Sequence, residues 1–123
     1  MSAADWYIAL FSFGSGVGII AFWLVTFVRG KLDEIAAGRG DIWFHVVAEL
    51  VTGAVLVAGA VAIVVAPDGR VALALSSLGL GLLVYSLIQS PGHYVVTKDR
   101  RMVATFIASG IFVIPAVVLR FVA

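Results

Sequence analysis

The sequence predicts an all-α integral membrane protein, a bundle of four transmembrane helices with the N and C termini on the outer side. Three observations carry this: a large apolar excess, four long apolar runs, and a lopsided distribution of Lys and Arg. Hydrophobic residues make up 63% of the 123-residue chain and charged residues 12%. An ordinary soluble domain carries about 45–50% apolar and about 25% charged residues. A body this small buries proportionally little surface, so the excess has nowhere to go except into lipid. Intrinsic disorder needs the opposite composition.

Each span follows from length. Crossing about 30 Å of hydrocarbon takes about 20 residues at about 1.5 Å each. The first run, residues 6–28, ends at Arg29-Gly30-Lys31. The second, residues 42–66, is stopped by Pro67-Asp68-Gly69-Arg70, a tight hairpin signal. The third covers residues 71–90 and closes on Pro91-Gly92. The fourth covers residues 102–123 and contains Pro115, which removes one backbone hydrogen bond and is expected to kink it. Backbone groups cannot stay unpaired in lipid, so runs of this length are helices. Together they form one transmembrane domain over residues 1–123. The first run is longer than a signal-peptide core, and Met1 to Asp5 lack its basic flank, so it reads as a retained helix.

Orientation follows from charge. Arg29, Lys31 and Arg39 follow the first span, and Lys98, Arg100 and Arg101 follow the third. The other side holds Arg70 and Arg120. The positive-inside rule places both basic loops in the cytoplasm. Arg120 is near enough to its helix end to snorkel. Trp6 and Tyr7 suit an outer aromatic belt, and Trp43, Phe44 and Tyr94 an inner one. Lys31 to Ala37 has the pattern of a short amphipathic turn on the inner surface, and equally of a solvated loop.

Association in lipid depends on small residues and interhelical hydrogen bonds. The first span offers Gly14-xxx-Gly18 and Ser12-xxx-Gly16; the second offers Ala54, Ala58 and Ala62, beside Gly53 and Gly59. The third offers Ser77-xxx-Gly81 with Gly79, and the fourth Ala104-xxx-Ala108 with Gly110. These faces suit bundle packing, and their number also suits a homo-oligomer or a larger membrane complex. The partners expected are the bilayer and such an assembly. A net charge of +1 gives no basis for nucleic-acid binding.

Chemistry narrows quickly. With no Cys there is no disulfide, thiolate ligand or cysteine nucleophile. No phosphate-binding glycine loop occurs, because Gly14 to Gly18 lie inside an apolar span. No serine stands in a nucleophile motif, and enzymatic activity is not expected. Two ionisable residues lie inside a span, His45 and Glu49, at i and i+4 on one helix face. A carboxylate there is costly in lipid and should face the interior, a cavity or a partner. Thr52 continues that face. Tyr85, Ser86 and Gln89 end the third span, and His93 follows it. All belong to the cytoplasmic half, so a site should open to the cytoplasm.

Three readings compete. In a structural one, Glu49 accepts hydrogen bonds from Tyr85 or Gln89, or pairs with His45, and locks helix register. In a transport one, Glu49 and His45, with Thr52, Tyr85 and Gln89, form a protonatable substrate or ion site. In a cofactor one, His45, Glu49 and His93 ligate a metal ion with an open position, or the two histidines ligate a haem. The leading expectation is a small transport or permeation component of a prokaryotic cytoplasmic membrane. The alternatives are an accessory membrane subunit without transport activity and a metal- or haem-binding redox subunit.

Overall fold

The computed structural model describes residues 1–30, 42–89 and 100–122, with backbone alone at 42, 121 and 122. It is all-helical: α1 (Ala3–Val28), α2 (Ile42–Val65), α3 (Arg70–Gln89) and α4 (Arg100–Val122). Each is long and apolar enough to cross a membrane. The shortest, α3, has 20 residues and at about 1.5 Å per residue still covers the hydrocarbon thickness.

Local chemistry sets the helix ends. The chain enters α1 through a capping box: Ser2 Oγ accepts from the Asp5 amide at 3.1 Å, and the Asp5 carboxylate accepts from the Ser2 amide at 3.1 Å. This starts the helix at Ala3, three residues before the expected span. At its far end Gly30 takes φ +71° and donates to the Phe27 carbonyl at 3.0 Å, the left-handed stop that glycine adopts without strain. Between α2 and α3 the Gly69 amide closes a turn on the Ala66 carbonyl at 3.0 Å, with Pro67 just inside it.

The helices run up, down, up, down in a ring, with α1 against α2, α2 against α3, and α4 touching α3 and α1. One end of the bundle carries the α2–α3 turn and both chain ends (the hairpin end). The other carries Arg29 and Arg100 (the basic end). The main core lies toward the hairpin end, where Ile8, Leu56, Ile63, Ala72, Leu80 and Ala116 are almost completely buried. A smaller cluster, Trp23 and Val46, lies toward the basic end.

The seams are made by only some of the expected small residues. A Cβ at Gly16 would lie 2.6 Å from the Gly53 carbonyl oxygen, so α1 and α2 touch backbone to backbone there. Gly59 meets the α3 backbone at Leu75 and Ser76, and Gly79 meets Leu56. By contrast a Cβ at Gly14, Gly18, Gly81 or Gly110 would meet nothing within 4 Å. Ala54, Ala58, Ala104 and Ala108 are exposed. The physical reason is rotation: Ser12 and Gly16 share a stripe with buried Ile8, Ala9 and Trp23, whereas Gly14 and Gly18 are turned away from α2. In α3 the buried stripe is Ala72, Ser76, Gly79, Leu83 and Ser86, one position off the Ser77–Gly81 pair.

Pro115 lies inside α4, which continues to Val122. Its ring nitrogen leaves the Ile111 carbonyl without an i+4 donor. In the same turn, Tyr7 donates its hydroxyl to the Phe112 carbonyl at 2.7 Å, a tie from α1 to α4. Tyr7, expected in an aromatic belt, is thus partly buried and bonded within the bundle.

Candidate functional site

Glu49 is 8% exposed, on the inward face of α2. Its carboxylate is held from three sides. Trp23 of α1 donates its indole N–H to Oε2. Ser86 of α3 donates its hydroxyl to Oε1 at 3.1 Å. His45, one turn back on α2, brings Nε2 to 3.4 Å from Oε1. The Trp23 ring stands edge-on to both Phe22 and His45, at centroid distances of 5.1 and 6.1 Å, which fixes the direction of its N–H.

These donors differ in what they allow. An indole N–H only donates, so Oε2 remains an acceptor whatever the protonation state of the carboxyl. A serine hydroxyl donates or accepts. A proton added to Glu49 is therefore accommodated on Oε1, where Ser86 reverses its hydrogen bond and the imidazole stands close by. Trp23 orients the group, and the Ser86 and His45 side is the one on which a proton can be accommodated.

The remaining expected residues surround this centre. A cavity of about 310 Å³ between α2 and α3 is lined by His45, Glu49, Thr52, Tyr85, Ser86 and Gln89. The structure thus gathers His45, Glu49, Thr52, Tyr85 and Gln89 around one space, with unequal roles. Thr52 donates its hydroxyl to the Ala48 carbonyl at 2.8 Å, so its proton is taken by its own helix. Tyr85 is 64% exposed and Gln89 is exposed. The bond to Glu49 comes from Ser86, because the rotation of about 100° per residue along a helix turns position 86 inward and position 85 outward.

On the other side of Glu49 a second cavity of about 520 Å³ opens between α1 and α4. Leu10, Phe11 and Phe22 line it from α1 and Met102 and Phe106 from α4, with Glu49 and Ser86 at its back. Glu49 and Ser86 are the two residues common to both cavities. They form the partition between them.

His93 lies outside the described residues, as do Tyr94, Lys98 and the Lys31–Ala37 segment. Among the described residues no group of three His, Asp or Glu side chains has the arrangement of a metal site. His45 and Glu49 are brought together, with Trp23 and Ser86 filling hydrogen-bonding positions on the carboxylate.

Trp23 is the residue that sequence reasoning missed. The signal was available: a tryptophan more than a turn inside the end of an apolar span carries an N–H that needs an acceptor at its own depth. Comparison with curated proteins and with solved structures gives no match. The family described as a domain of unknown function (DUF8058) matches residues 3–123, and the chain belongs to that family.

Proposed function

We propose that this protein is a small membrane transport or permeation component whose working group is the Glu49 carboxyl, assisted by His45 and Ser86. One observation supports this above the others: the buried carboxyl stands between two cavities and borders both. A protonatable group reached from two sides is what a relay or a coupled carrier needs. In this reading the basic end faces the cytoplasm, since Arg29, Lys31, Arg39, Lys98, Arg100 and Arg101 cluster there by sequence. The exposed Ala104 and Ala108 of α4 support close association with another helix in a homo-oligomer or a larger membrane complex.

Purified protein in liposomes carrying an internal pH dye tests the proposal. Wild type is expected to pass protons above empty liposomes when a potential is applied, and Glu49→Gln to fall to the empty-liposome level. Equal flux from the variant, or none from wild type, overturns the assignment.

A second reading is favoured by the Trp23–Glu49–Ser86 hydrogen bonds, which tie α1, α2 and α3 together. Here the protein is an accessory membrane module and the polar cluster locks the bundle. Absent flux together with a lowered unfolding temperature for Glu49→Gln selects it.

A further inference from the structure

The cavity between α1 and α4 has a chemistry that specifies a ligand. Its mouth lies on the flank of the bundle, where Leu10, Gly14, Gly18 and Thr105 are exposed. The walls are apolar and rich in aromatic rings, Phe11, Phe22 and Phe106 among them. Among the described residues Glu49, at the back, is the only ionisable group in the lining. At about 520 Å³ the space falls within the range of roughly 300–1,000 Å³ typical of small-molecule sites.

An apolar body and a single positive charge match these features together. Aromatic faces and a buried carboxylate both attract a cation in a medium of low dielectric constant. A bulky cation with its charge spread over apolar groups needs no hydrogen-bond donor of its own, so Trp23 and Ser86 keep their bonds to Glu49. We propose that this cleft is a binding site for lipophilic monocations that enter sideways from the bilayer between α1 and α4. The inference deepens the transport reading and rests on Glu49 as its working group.

The glycines at the mouth supply a clean variant. A Cβ at Gly18 meets nothing within 4 Å, and Gly18 lines the cleft, so Gly18→Leu fills the opening without touching the α1–α2 seam. The experiment measures equilibrium binding of tetraphenylphosphonium to the purified chain in detergent, with tetraphenylborate as a probe of the same shape and opposite charge. Saturable binding of the cation and not the anion is expected. Glu49→Gln is expected to weaken it by about tenfold or more, as when one side of a buried charge pair is lost. Gly18→Leu is expected to abolish it at unchanged helix content.

Equal uptake of both probes means that the cleft is an apolar groove for lipid chains, and overturns the proposal. So does cation binding that survives Gly18→Leu. Glu49-dependent proton flux without cation binding removes this inference and leaves the transport reading. Cation binding lost in Glu49→Gln, in a protein that passes no protons, does the reverse.

Discussion

Helices α2 and α4 are both long apolar segments, yet the bundle uses them in opposite ways. In an 18-residue stretch of α2, 44% of the residues are buried, while in a stretch of α4 of the same length the share is 11%. The difference lies in what the small residues meet. Gly53 and Gly59 of α2 admit the backbones of α1 and α3, whereas Gly110 of α4 faces open space. Where backbones touch, many dispersion contacts and a fixed register follow. Three helices joined in this way hold Glu49 to Trp23 and Ser86. The fourth leans against them, tied to α1 by the Tyr7 hydroxyl, and leaves the cleft beside Glu49. Three helices in backbone contact thus hold the carboxyl, and the fourth forms a more loosely packed wall beside it.

Glycine substitutions probe this contrast most strongly. Gly16→Leu would drive a side chain into the Gly53 carbonyl oxygen, 2.6 Å from its Cβ, with Val57 and Leu56 close behind. The expected loss is about 3 kcal/mol, the upper part of the range for overpacking. Gly110→Leu in α4 is expected to change stability by less than about 0.5 kcal/mol. Both variants gain helix propensity, so thermal unfolding in detergent of the two side by side isolates the packing difference. Similar losses would mean that α4 packs as tightly as α2.

A smaller effect concerns what the frame holds. Trp23→Phe keeps the ring and removes the N–H, leaving Oε2 of a buried carboxylate short of a donor. The expected cost is about 1–2 kcal/mol. In a double-mutant cycle it should shrink when Glu49 is already glutamine. Additivity within about 0.5 kcal/mol would show the contact to be incidental.

The four helices were legible because span length and hydrophobicity are properties of composition alone. The gathering of His45, Glu49 and Thr52 was legible because all three lie on one helix at i, i+4 and i+7. What a neighbouring helix contributes depends on rotation, and an apolar span carries little amphipathic signal to set it. Hence Tyr85 and Gln89 were expected as donors where Ser86 stands, and Gly14–Gly18 and Ser12–Gly16 stood as equal candidates although the second pair alone packs. The spacing of Ala72, Ser76, Gly79, Leu83 and Ser86 by fours and threes does mark the inward stripe of α3. Choosing it over Ser77–Gly81 takes the knowledge that α2 presents Leu56 and Gly59 to that side.

The smallest effect tests the tie to α4. Tyr7→Phe removes one hydroxyl bonded to the Phe112 carbonyl, and hydrogen bonds between transmembrane helices average about 0.6 kcal/mol. Pro115 lies in the same turn and leaves Ile111, the residue beside that acceptor, short of a donor. Pro115→Ala gives Ile111 its donor and removes the ring's clash with that carbonyl, so the neighbouring Phe112 carbonyl is expected to point more nearly along its own helix and less toward the tyrosine. Tyr7→Phe should therefore cost measurable stability in the wild-type background and almost none beside Pro115→Ala. An equal cost in both backgrounds would detach the tyrosine from the proline. It would also mean that the Phe112 carbonyl takes the tyrosine's bond whether or not Pro115 is present.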